Sequence, residues 1–231
     1  GPFTETDRVM AFDVTLNIND ATAALGLPPQ LDNFEPGDIT GQYTPNGKDV
    51  SRTRKVALFE GMDEYGRLQP LLGTAEDATD FEGNPINYMA GDPNGSVPIN
   101  GAIAWHSPTT ENPALNPEGA EIWEIYNATV DAHPVHLHLV HFDVLGRQTF
   151  TATPVQIPVL QHNGTLGMGA RLTNIVPGDV VQQPVGHVEN APKDMVTALP
   201  GQITRIKATF DKPGRYVWHC HILSHEDHEM M

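Results

Sequence analysis

The chain has 231 residues, with 21 glycines, 20 prolines and only 18% charged residues; this length supports one or two domains with a real core, and turn residues set between short apolar runs favour an all-β chain over a helical one. Formal net charge is -16, from 29 acids against 13 bases, a field that repels phosphate backbones and argues against nucleic acid as a partner. No apolar run is long enough to cross a membrane as a helix, and a single cysteine, Cys220, excludes a disulfide framework within the chain.

Along residues 8–16, Met10, Phe12, Val14 and Leu16 alternate as in a half-buried strand. Residues 17–53 are rich in Pro, Gly, Asn and Asp and read as a connector. Strand signals return at 55–60, followed by a turn at 63–66. Residues 73–119 read mostly as loop, interrupted by 99–105. The stretch 121–126 is rich in β-branched and aromatic residues, so it is a strand, and 136–145 reads as another. Many Pro and Gly between 150 and 190 suggest a long loop, a kind of segment more often functional than idle. Residues 202–210 alternate, with Thr204, Ile206, Ala208 and Phe210 inward and Arg205, Lys207 and Thr209 outward. A turn at 211–214 leads to a last strand at 215–219. Short strands with turn punctuation and no helical stretch point to a β-sandwich or barrel.

Eleven histidines are present, and two short runs concentrate them: His133-Pro-Val-His136-Leu-His138 and His219-Cys220-His221-Ile-Leu-Ser-His225, the latter followed by Met230. Side chains alternate across a strand. His136 and His138 therefore share one side, as do His219 and His221, while Cys220 points the other way. His133 is an odd number of positions from His136 and joins the Cys220 side. One side collects four imidazoles. The other collects His133 and Cys220, with His225 and Met230 arriving from the loop beyond. Two His, one Cys and a weak thioether form the ligand set of a blue electron-transfer copper. Structural zinc prefers closed sets with paired Cys spacings, which are missing here. A redox-active thiol would explain Cys220 but neither Met230 nor the second cluster.

At these residues the chain resembles the multicopper oxidases. The two copper motifs carry the likeness, supported by Trp105-His-Ser-Pro108, by residues 121–127 and by 216–223, which are most similar to spore-coat laccases and bilirubin oxidases. The resemblance implies a cupredoxin-like Greek-key β-sandwich or barrel at 54–231, with copper ligands. It makes 1–53 the last strand of a neighbouring middle cupredoxin domain plus a linker. It assigns His133, Cys220, His225 and axial Met230 to a type 1 copper, His136 to a type 2 copper, and His138, His219 and His221 to the type 3 pair. Glu226 matches an acidic residue near the oxygen-reducing site, with a proton-relay role. His106, His141, His162, His187 and His228 match no ligand position, and Met168 reads as packing.

The family's trinuclear cluster takes two His-x-His motifs from earlier domains, and no further His-x-His occurs in this sequence. The expected partner is the N-terminal part of the same oxidase, alongside a small reducing substrate and O2. The expected function couples one-electron oxidation of phenolic or similar donors to reduction of O2 to water, with the lone chain inactive. The alternatives are an electron-transfer cupredoxin and a protein like the copper nitrite reductases. Resemblance favours a secreted, periplasmic or cell- or spore-surface location.

Overall fold

The computed structural model describes residues 49–78, 100–103, 115, 119–182, 189 and 192–231. These form β1 Asp49–Met62, β2 Leu68–Thr74, β3 Gly101–Ile103, β4 Gly119–Asn127, β5 His133–Leu137, β6 Phe142–Leu160, β7 Leu166–Val181, β8 Met195–Ala198, β9 Gln202–Ala208, β10 Trp218–Cys220 and one short helix, α1, at Leu223–Glu226. The expectations for a strand at 8–16 and for residues 17–48 of the connector lie outside the described residues, whereas the connector's last residues, 49–53, are strand and begin β1, paired with β4.

The all-β expectation holds. One sheet runs β3-β2-β1-β4-β9-β6-β7, and a smaller one runs β10-β5-β8. The larger sheet curls until β7 meets β1 again at Met168 and Met62. Glycine permits that closure, because a Cβ at Gly61 would collide with the Met168 carbonyl.

β1 explains why the chain needs two cores. Val56 and Leu58 pack with Trp123, Ile125, Ile206 and Ala208 against Val135, Leu137 and Val196 of the small sheet. Ala57 and Phe59, on the opposite face, join Leu71, Tyr126, Val159, Leu172 and Ile203 under the β6–β7 hairpin. A strand covered on both faces reads as a continuous apolar run rather than an alternating one, which accounts for Val-Ala-Leu-Phe at 56–59. Each large side chain buried this way stabilises the fold by about 1.5–3 kcal/mol.

Four sequence expectations are corrected. Within the long loop expected at 150–190, residues 150–181 instead form most of a β-hairpin, β6 against β7, with Leu160 opposite Leu166 next to its turn. Its prolines hid it: Pro154, Pro158 and Pro177 lie opposite Leu172, Met168 and Phe150, and proline is tolerated in a strand where the ladder needs no donor. The expected strand at 136–145 is two strands in different sheets, separated where Leu139 takes a left-handed φ of 73°. The first two residues of the loop expected at 73–119 are strand and close β2, Leu68–Thr74. Arg205 and Lys207 are buried rather than outward, because β9 is covered on both faces. Arg205 Nε pairs with Glu124 Oε1 at 2.7 Å, and Lys207 sits opposite Asp143 in the ladder.

Candidate metal centres

β5 and β10 lie side by side, antiparallel, with Trp218 opposite Leu137, His219 opposite His136 and Cys220 opposite Val135. Directly opposed residues share a face. His136 and His219 therefore look away from the main sheet. Cys220 and Val135 look into the core between the sheets, and His133, two positions before Val135, is fully buried on their side.

On the inner side, Cys220 Sγ is 3.7 Å from His133 Nδ1 and 3.8 Å from His225 Nδ1, and the two nitrogens are 3.2 Å apart. A point equidistant from these three atoms lies about 2.1 Å from each, close to the ~2.0–2.3 Å reach of nitrogen and sulfur donors to a transition-metal ion. Met230 is fully buried in the same apolar cluster as Cys220. The chain reaches it by leaving β10, turning through α1 and doubling back. Met230 N–H donates to the His225 carbonyl at 2.9 Å, and Cys220 N–H donates to the Met230 carbonyl at 3.0 Å. Glu229 makes the return with a left-handed φ of 93°. Burial and the His225 ring push the His133 imidazole down to about 4, with Asp131 opposing. Burial pushes the Cys220 thiol up. A soft metal ion held here would take Cys220 as the thiolate, with loss of the thiol proton, and His133 as the neutral imidazole.

On the outer side, donor nitrogens of His136, His138 and His219 lie within 4.8 Å of one another. His138 Nε2 is 3.1 Å from His219 Nε2. His136 Nδ1 is 2.7 Å from the Asp194 carbonyl, which accepts only, so Nδ1 carries the proton and Nε2 is free. His219 Nδ1 faces the Cys220 carbonyl at 3.1 Å and Glu226 Oε2 at 3.3 Å. His221 stands beside this trio, its ring 5.8 Å from that of His136 and 5.5 Å from that of His219. His138 and His221 are solvent-exposed. Burial, then the rings of His136 and His219, hold His138 below the usual histidine range. Glu226 lies on α1 and also lines an open depression of about 640 Å³ with Leu223, Ser224, Asp227, Glu229 and Met231.

Among the other histidines, His106 and His187 lie outside the described residues, His141 and His162 are exposed, and His228 is half-buried. Met168 belongs to β7, opposite Pro158, rather than to a loop. Sequence reading missed two groups that orient the donors. One is Thr129, whose Oγ1 is 2.7 Å from His133 Nε2. Asn127 followed two residues later by Thr129 at a strand end is a turn signature that could have drawn attention to it. The other is the Asp194 carbonyl, a backbone group with no side-chain signal.

A sequence profile described as multicopper oxidase matches residues 78–231. The chain is similar to a laccase of Bacillus subtilis (strain 168), 44% identical over 128 residues, covering 55% of this chain and 22% of that protein. It is similar to multicopper oxidase LPR2 of Arabidopsis thaliana, 31% identical over 241 residues, covering 98% of this chain and 34% of that protein. Among solved structures, a multicopper oxidase from Campylobacter jejuni, described as a metallo-oxidase, aligns with a TM-score of 0.42 at 16% identity, over 81% of this chain and 30% of that one. The chain thus spans about a fifth of the first relative and a third of the second.

Proposed function

This chain belongs to the multicopper oxidase family, and on that premise we propose that it supplies the type 1 copper ligands and half of the trinuclear-cluster ligands of a laccase-like oxidase. The observation that carries the reading is the register of β10 on β5, which directs Cys220 inward between two outward histidines. His133, Cys220, His225 and the thioether of Met230 hold the type 1 copper. His136 holds the type 2 copper, and His138, His219 and His221 give one half of the type 3 ligands. Copper bound in these sites supplies one-electron redox chemistry, drawing electrons from a phenolic or similar donor and delivering four to O2 to make water.

The protein's own contribution is arrangement. Cys220 is bonded through the main chain to both His219 and His221, so the inner and outer sites share a short covalent path. Thr129 and the Asp194 carbonyl aim the imidazoles. Glu226 Oε2, beside His219 Nδ1 and open to the acidic depression, is placed to pass protons inward. His138 and His221 are exposed, which fits a face completed by an N-terminal part of the same oxidase carrying two His-x-His motifs. An electron carrier with a single copper has no use for this outer face.

The test is copper content and oxygen consumption, measured for the chain alone and together with an N-terminal partner bearing those motifs. The chain alone should take up a blue copper and leave O2 unreduced, and the assembled protein should consume O2 with a phenolic donor. Steady, copper-dependent turnover by the chain alone, or by a homo-oligomer of it, refutes the missing half. Failure of the chain to take up a blue copper refutes the inner site.

A further inference from the structure

Thr129 follows β4 in a turn that nothing in the copper-ligand motifs includes, and its hydroxyl touches a ring nitrogen of His133. The protons around it can be accounted for one by one. Asn127, fully buried, directs its Nδ2 at two backbone carbonyls, Asp131 at 2.7 Å and Ala198 at 3.0 Å. Carbonyls only accept, so the amide orientation is fixed. Its Oδ1 then receives the Thr129 N–H at 2.9 Å and faces the Thr129 hydroxyl at 2.8 Å. The hydroxyl has one proton, and its oxygen acceptors are Asn127 Oδ1 and the Asp131 carbonyl at 3.1 Å. Its lone pairs are left for the Asp131 N–H at 3.2 Å and for His133 Nε2 at 2.7 Å. An oxygen that has given its proton elsewhere can only accept from the ring.

We infer that Thr129 is a positioning residue that locks His133 in the tautomer with its proton on Nε2, leaving an unprotonated Nδ1 whose lone pair faces the space shared with Cys220 and His225. The opposite tautomer puts a proton on Nδ1, in the middle of the triangle it forms with Cys220 Sγ and His225 Nδ1. It also takes from Asn127 Oδ1 one of its two donors. The lock reaches further than one bond. Asn127 ties the end of β4 to Ala198 of β8 and to the turn leading into β5. The tautomer of the buried imidazole is thereby set by how three strands meet. The tautomer itself is a property of the chain alone, and its consequence for copper rests on the inner site proposed above.

The experiment uses the 231-residue chain labelled with 15N-histidine, held metal-free with a chelator at neutral pH. Two-bond proton–nitrogen spectra should show His133 protonated at Nε2 in the wild type and in Thr129→Ser, and a tautomer mixture in Thr129→Val. Copper(II) titration should then show the affinity of the inner site falling by roughly 10- to 100-fold in Thr129→Val, with Thr129→Ser restoring it. A wild-type His133 protonated at Nδ1 overturns the inference, as does a Thr129→Val chain with unchanged tautomer and unchanged affinity. If Thr129→Val does not fold, the wild-type spectrum still decides. If no version of the chain takes copper at Cys220, the copper reading fails, and the tautomer is still measured independently.

Discussion

Replacing His133 with leucine should change how folding responds to acid, by an amount set by burial. His133 is fully buried, and burial with the His225 ring brings its imidazole down from 6.5 to about 4. Above about pH 6.5 the ring is neutral in both folded and unfolded chains and contributes no pH dependence. Below that, the unfolded chain takes up the proton while the fold resists it, so the fold loses stability as pH falls. The loss is complete below about pH 4 and amounts to about 3 kcal/mol, of which about 2 kcal/mol accrues between about pH 7 and about pH 5. The aliphatic side chain of the His133→Leu variant has no proton to take, and other titrating groups largely cancel in the comparison. Equilibrium denaturation with a chelator present, for the wild type and His133→Leu across this range, isolates the difference. Wild-type stability relative to the variant should drop by about 2 kcal/mol between the two ends. A difference that stays constant to within about 0.5 kcal/mol refutes the claim that His133 is held neutral by its surroundings. Copper in excess should blunt the wild-type acid sensitivity, since the metal takes only the neutral ring.

Cys220→Ser should abolish the intense thiolate-to-copper absorption of the loaded chain, and survival of the blue colour ends the assignment of Cys220 as ligand. In Met230→Leu the loss of a weak donor to Cu(II) should raise the reduction potential, and an unchanged potential shows that Met230 does not ligate. In the assembled enzyme, Glu226→Gln should leave reduction of the blue copper by substrate near normal while O2 turnover slows by roughly 100-fold or more. Loss of copper with normal turnover per copper would instead make Glu226 a structural support for His219.

What was legible depended on whether a local rule was left undisturbed. Strand alternation applies cleanly to residues 133–138 and 219–221, because each run lies in or beside a regular strand of the small sheet. The β6–β7 hairpin was illegible because its residues do not alternate cleanly and prolines interrupt it. It packs one side over a core and leaves Val155, Val176 and Val180 exposed on the other. Arg205 and Lys207 misled because a polar residue in a strand is normally read as outward, whereas here Arg205 pairs with the buried Glu124 on β4 and Lys207 lies opposite the half-buried Asp143 on β6. Thr129 escaped notice since its importance lies in one hydrogen bond across a turn, which composition does not register.

The pairing of β10 with β5 makes this part of the chain far less tolerant of a change in length than of a change in identity. Substituting Val135 or Leu137 by another aliphatic residue alters a little packing and leaves every donor where it is. Deleting one residue between His133 and His138 shifts part of the motif to the opposite face, because the side-chain repeat along a strand is two. Imidazoles would then enter an apolar core while others left their partners, and both sites would be lost in one event. Three features pin the alignment: Trp218 set opposite Leu137, the Cys220 N–H bonded to the Met230 carbonyl, and the His221 N–H bonded to the Pro134 carbonyl. Across variants of this chain, the spacings from 133 to 138 and from 219 to 230 should therefore stay fixed while the apolar residues between the donors drift.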